Sequence, residues 1–274
     1  MKHFLLSLSA FIAFAGLSSF KDKNPNSKNS PKVVNFEIFG SDHATTPIID
    51  NELYDHVYYI VSGHGGPDPG ANITVNGKMV AEDEYAYDVS LRLAKNLLMH
   101  GAKVYMIVRD ENDGIRDHEY LETDTDEVVW GGNKIPLSQS ARLKQRTKII
   151  NDLFVENAAK GYETQRVIET HVDSRITNHK VDIFFYYNDR KPESKQLAEG
   201  MYDTIKQKYN AKQKGRGYTG EVKARDLWMI KESKPPIVFI ELGNITNEFD
   251  RKRLLLADNR QAIANWFAQG LMHH

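Results

Sequence analysis

Residues 57–71 read VYYIVSGHGGPDPGA. An unbroken run of β-branched and aromatic residues, Val57 to Val61, gives way to a loop containing Gly63, Gly65, Gly66 and Gly70 and stiffened by Pro67 and Pro69. The run spells a strand, and its apolar residues are consecutive rather than alternating, the pattern of a strand covered on both faces. The glycines allow tight turns and the prolines fix the path of the chain, so the loop can present His64 rigidly at the carboxyl end of the strand. Taken alone, the segment reads equally as a Gly/Pro loop that happens to contain a histidine.

Outward from this stretch the pattern repeats. Residues 81–110, AEDEYAYDVSLRLAKNLLMHGAKVYMIVRD, place a helix over Glu84 to His100 with Val89, Leu93, Leu97 and Leu98 on one face, stop it at Gly101, and return to a strand over Ala102 to Val108. Further strands are expected at Arg166 to Val172, Val181 to Tyr187 and Ile237 to Leu242, and helices at Ser138 to Ala159, Glu193 to Tyr209 and Glu248 to Leu271. Strands alternating with helices, several of the strands apolar on both faces, predict an α/β fold: a three-layer α/β/α sandwich around a mostly parallel, mixed twisted sheet.

Composition narrows the function. The 274 residues carry 36 Lys and Arg against 37 Asp and Glu, so no surplus positive field draws the chain onto nucleic acid or an anionic membrane. There is no cysteine, which excludes a disulfide framework and leaves histidine and carboxylate as the side chains available to any metal. Residues 1–19, MKHFLLSLSAFIAFAGLSS, place Lys2 before an apolar run from Phe4 to Leu17 with small residues behind it, the layout of a secretory signal peptide. The run falls short of the ~18–20 residues of a membrane span, so no stable membrane insertion is expected after cleavage. Residues 20–32, FKDKNPNSKNSPK, read as a polar linker, and residues 33–274 as a single domain, expected to be a monomer.

Three expected strands finish on residues able to bind metal or move protons: YYIVSGH at His64, RVIETH at His171 and IVFIE at Glu241. Ligands gather outside the carboxyl ends of strands in open α/β sheets. With Glu82 just ahead of a helix, these residues compose a two-histidine, one-glutamate set with a fourth position left for water. Spacing alone does not establish it, since there is no compact HExxH.

The stretch around His64 resembles the HGGxDPGA signature of the zinc-dependent N-acetylmuramoyl-L-alanine amidases, the amidase 3 family. Further landmarks follow in order: LKQRTKIIN, with Arg146 and Asn151 at the family's separation; VIETHVDS, matching the strand that carries the second histidine; and PPIVFIELGNITNEFDRKRLL, matching the segment with the catalytic glutamate. The resemblance runs from about Val57 to Leu271. It implies zinc held by His64, Glu82 and His171, with Glu241 as general base toward a water at the zinc. Counting back from GAKV assigns Glu82 as the ligand, and Glu84 is the runner-up, its other reading being a carboxylate suited to the first turn of a helix. The implied reaction is hydrolysis of the amide between N-acetylmuramic acid and L-alanine in peptidoglycan, in the periplasm or cell envelope, with a regulatory activator protein as a further partner to look for. The rival readings are a zinc peptidase or amidase acting on another cell-wall amide or a soluble muropeptide, and a non-catalytic peptidoglycan-binding protein, whose mark would be a lost ligand or base.

Residues 109–136, RDENDGIRDHEYLETDTDEVVWGGNKIP, form an acidic insertion longer than the family's connection. It reads as a solvated surface excursion or as a flap bordering the active-site groove with Trp130 as an anchor. Its DTDE lacks the calcium-loop pattern. His43, His56, His100, His118 and His179 read as ordinary surface or packing residues.

Overall fold

Six strands, numbered in chain order, build the central sheet: β1 (His56–Ser62), β2 (Lys103–Met106), β3 (Thr164–Asp173), β4 (Phe184–Tyr187), β5 (Glu221–Ala224) and β6 (Ile237–Asn244). Their spatial order is β5-β4-β6-β3-β1-β2. The pairs β6/β3, β3/β1 and β1/β2 are parallel, and β4 runs antiparallel to β6, with β5 parallel to β4 beyond it. The computed structural model describes residues 32–273, all within one compact unit. The expected signal peptide lies outside the described residues, as does the linker up to residue 31; Lys32 opens the short hairpin Lys32–Asn35 with Thr45–Ile48.

The α-helices among the described residues are α1 (Glu82–Met99), α2 (Gln139–Ala159), α3 (Pro192–Lys212), α4 (Trp228–Glu232), α5 (Glu248–Leu255) and α6 (Ala257–Met272). Alternate residues of the strands divide between two apolar layers, because successive side chains point to opposite faces. Tyr58, Ile60, Ile168, Phe185, Val238 and Ile240 pack under α1, α3 and α6. Val57, Tyr59, Val61, Val167, Tyr186, Ile237 and Phe239 face α2 and the single turn of α4. Consecutive apolar runs in β1 and β6 follow from burial on both sides. This is the α/β/α sandwich with a mixed sheet expected from the sequence. Among the described residues, no helix is long and apolar enough to cross a membrane.

Three departures have physical causes. The helix expected over Glu248 to Leu271 is two helices, because the chain turns extended at Leu256 (ψ 119°). The fully buried Arg260 donates to the carbonyls of Leu254 (2.7 Å) and Leu255 (2.8 Å), satisfying acceptors that the end of α5 would otherwise leave orphaned. Strand β5, sequence EVKA, lies at the sheet edge and is half exposed, so it never needed an apolar run. Strand β2 ends at Met106, and Val108–Arg109 instead pairs with Val128–Val129, which continues to Asn133–Lys134. The acidic insertion thus enters its own small sheet.

Candidate metal centre and active site

The site forms where the carboxyl ends of β1 and β3 meet the amino end of α1. His64 stands two residues beyond β1 in a left-handed conformation (φ 61°). That turn carries its ring back over the sheet, 5.2 Å from the ring of His171 on β3. Two glycines make the approach possible. A Cβ on Gly63 would lie 2.3 Å from Cε1 of His171, and one on Gly70 would lie 2.7 Å from both Glu82 Oε2 and the His64 ring. Any side chain at either position would push a site residue away.

Glu82 opens α1 and reaches between the two imidazoles. Its Oε1 lies 2.8 Å from His171 Nδ1, and its Oε2 lies 3.3 Å from His64 Nε2. The backbone N–H groups of Val172 and Ala71 donate to the same two oxygens, each at 2.9 Å. The remaining ring nitrogens each face a further carboxylate: His64 Nδ1 is 2.8 Å from Asp68 Oδ2, and His171 Nε2 is 3.2 Å from Glu169 Oε1. Each imidazole therefore offers one nitrogen to the centre while a carboxylate fixes the other, the arrangement that orients histidine toward a metal. Donor atoms of His64, Glu82 and His171 lie within 4.8 Å of one another. Two imidazoles and a carboxylate match the protein donors of catalytic zinc sites that keep an open position, and on that chemistry the residues fit the ion.

Electrostatics follow from this packing. Burial opposes the charge on Glu82, but hydrogen bonds from His171 and His64 outweigh it and hold the carboxyl well below its usual range. Burial likewise opposes protonation of His171, yet its bonds to Glu169 and Glu82 raise it to about 10. Glu84 is absent from this centre. Two residues further along α1, the helix has rotated by about 200°, which sends the Glu84 carboxylate to Arg116 (2.8 Å) and to the N–H of Asp124 (3.3 Å), in a separate buried cluster with Asp83 and Glu127.

Glu241 is the register partner of His171 across β3 and β6, so the two side chains share the face toward α2 and α4. The side chain is almost wholly buried and its Oε2 has no hydrogen-bond partner, while Arg175 lies 3.8 Å from Oε1. Burial pushes its carboxyl up to about 8, against the opposing charge of His171. A cavity of about 190 Å³ adjoins the centre, walled by His64, His171 and Glu169 on one side and Leu143, Trp228 and Phe239 on the other. Arg146 also lines it, fully buried, donating to the carbonyl of His64 and held down to about 10 by loss of hydration.

Two asparagines of the motif stretches, Asn151 in LKQRTKIIN and Asn247 in PPIVFIELGNITNEFDRKRLL, do structural work. Asn151 ties α2 to the end of α4 through Glu232 O and Lys234 N, and Asn247 caps α5 through Phe249 N and Asp250 N. The insertion is largely solvent-exposed yet pinned to the domain, and Trp130 is not among the residues lining the cavity. Its ring packs edge-on against Tyr105 at 4.9 Å under the Arg109 guanidinium. Ile115 and Leu121 enter the core, and Glu127 accepts from the N–H of Gly66 at 2.7 Å, bracing the loop that carries His64. Asp68, Glu169 and Glu127 carried no assigned role in the sequence. Only Asp68, inside the Gly/Pro motif, had a local signal.

Comparison with known proteins agrees with this architecture. Residues 59–273 match the family described as N-acetylmuramoyl-L-alanine amidase. A germination-specific N-acetylmuramoyl-L-alanine amidase of Bacillus subtilis (strain 168) is 22% identical over 223 residues, 81% of each chain. The CwlD amidase of Clostridioides difficile, solved in complex with the GerS lipoprotein, superposes with a TM-score of 0.57 at 23% identity, covering 79% of this chain and 96% of that one. The catalytic domain of CwlV, an N-acetylmuramoyl-L-alanine amidase of Bacillus (Paenibacillus) polymyxa var. colistinus, gives 0.55 at 20% identity, over 80% and 97%.

Proposed function

The chain belongs to the N-acetylmuramoyl-L-alanine amidase family, and from that premise we propose that it hydrolyses the amide between N-acetylmuramic acid and L-alanine in peptidoglycan, using zinc held by His64, Glu82 and His171 and with Glu241 as general base. The observation that carries the reading is the convergence of two carboxylate-braced imidazoles on Glu82, with a fourth, buried carboxyl in register beside His171. The chemistry a zinc ion supplies in such a set is Lewis acidity, which polarises a carbonyl and makes water nucleophilic at neutral pH.

The protein groups do the rest. Asp68 and Glu169 hold the imidazoles so that Nε2 of His64 and Nδ1 of His171 face inward. Glu241 Oε2, with no protein partner, takes the proton of the attacking water. The same carboxyl then passes that proton to the alanine nitrogen as it departs. Export by the leader in residues 1–19, a single catalytic domain and a monomeric state complete the proposal, and a regulatory activator protein belongs to it as well, the CwlD amidase having been solved with another protein, the GerS lipoprotein, bound to it.

Mass spectrometry of products from intact sacculi, with and without a chelator, tests it. The expected result is stem peptides with free amino-terminal L-alanine, released only when metal is present. Cleavage at any other bond overturns the assignment, and products from soluble muropeptides alone would favour the muropeptide reading.

A further inference from the structure

The floor of the site continues past His171 as a row of rings. His171 stacks on Phe239 with centroids 4.3 Å apart, and Tyr186 follows at 6.0 Å. Register sets the row: Phe239 is the partner of Tyr186 across β6 and β4, on the face that also carries Glu241. Two guanidiniums close its far end. Arg175 donates to Tyr186 Oη at 3.1 Å and lies 3.8 Å from Glu241, while two hydrogen bonds to Asp173, at 2.8 and 3.2 Å, anchor it. Arg225, just past β5, lies over the Tyr186 ring with Cζ 4.9 Å from its centroid. It is half-buried, and among the described residues no carboxylate forms an ion pair with its guanidinium.

A cation partly withdrawn from water and fixed on an aromatic face is prepared for an anion it does not yet have. A guanidinium presents a planar fork that matches a carboxylate. In the proposed reaction the leaving amine forms beside Glu241, and the peptide must run on from there. One residue spans roughly 3.3–3.6 Å, so a stem that follows the row of rings brings its second residue toward Arg175 and Arg225. That residue, a D-glutamate linked onward through its γ-carboxyl, carries a free α-carboxylate unless it is amidated.

We propose that Arg225, with Arg175 on the same tyrosine, forms a subsite for the α-carboxylate of the second stem-peptide residue, so that the enzyme selects the acid over the amidated form. This rests on the amidase reading above. The test compares N-acetylmuramoyl-L-alanyl-D-glutamate with N-acetylmuramoyl-L-alanyl-D-isoglutamine, which differ only in that carboxylate. The wild-type KM is expected to be about tenfold lower for the acid, with similar kcat, as a charge-assisted hydrogen bond supports. Arg225→Gln should raise KM for the acid to that for the amide, and Arg225→Lys should restore part of the difference. Equal KM values in the wild type, or an equal loss on both substrates in Arg225→Gln, overturn the subsite while leaving the amidase reading intact. Cleavage of neither substrate, with sacculi still cleaved, overturns the subsite alone, since recognition of the second stem residue must serve a substrate that carries it; sacculi left intact overturn the amidase reading. Should Arg225→Gln fold poorly, the wild-type ratio alone decides.

Discussion

At the scale of single residues, the proposed mechanism separates groups that bind from a group that reacts. Glu241 contributes no donor atom to the cluster of His64, Glu82 and His171. Glu241→Gln should therefore retain zinc by elemental analysis yet lose about 10²- to 10⁴-fold in rate, the usual worth of a general base; His64→Ala and His171→Ala should lose metal and activity together. Full activity in any of the three variants contradicts these roles. Asp83 poses a different question. It is buried with one oxygen unpartnered, and burial together with the charges of Glu84 and Glu127 raises its carboxyl from 3.8 to about 9. Since the folded state holds this proton more tightly than the unfolded chain, more protons are bound on folding, and stability falls as pH rises between about 4 and about 9. Asp83→Asn keeps an acceptor for the N–H of Glu84 and removes the charge. It should stabilise the protein at pH 8 by about 1–3 kcal/mol and flatten the pH dependence of urea unfolding, whereas an unchanged slope would show that Asp83 is not protonated in the fold.

At the scale of elements, the insertion and the loop it braces form one unit. Ile115 and Leu121 fill the layer beneath α1, Arg116 neutralises Glu84, and Glu127 holds Gly66. Burying each of the two aliphatic side chains is worth about 1.5–3 kcal/mol, so replacing residues 111–126 by a short turn should lower the melting temperature sharply. Glu127→Ala leaves that core in place and frees only the loop. Its expected effect is a weaker zinc affinity, by about tenfold as for other supporting contacts around metal ligands, read by competition with a chelating dye while the melting temperature of the metal-free protein changes little. Legibility in the sequence stops at this scale for a physical reason. The strands β1, β3 and β6 and the helix α1 announce themselves through local apolar pattern, and His64, His171 and Glu241 stand at or near strand ends that such patterns reveal. Nothing local distinguishes Glu82 from Glu84, because the difference is which side of α1 faces the end of the sheet. Nor does any pattern mark α4, a single turn, or Arg225, whose surroundings come from β4, a different segment of the chain.

At the scale of the molecule, the centre draws on all three layers. Glu82 comes from the helix layer beneath the sheet, His171 and Glu241 from the sheet, and Arg146, which holds the His64 carbonyl, from α2 on the opposite face. The unfolded chain cannot keep these groups together, since Glu82 and His171 are far apart in sequence and the chain has no cysteine to bind zinc on its own. Zinc should consequently bind the folded state alone, and binding free energy becomes folding free energy. At free zinc of about 100 times the dissociation constant the gain is about 2.7 kcal/mol, visible as a melting temperature that climbs with zinc and falls back on chelation. Glu82→Gln removes the one carboxylate donor and should abolish most of that climb, while Glu84→Gln, whose partner is Arg116, should leave the zinc-dependent part intact even where it alters the baseline stability. The opposite ranking of the two variants would transfer the ligand role to Glu84 and require α1 to present a different side to the sheet.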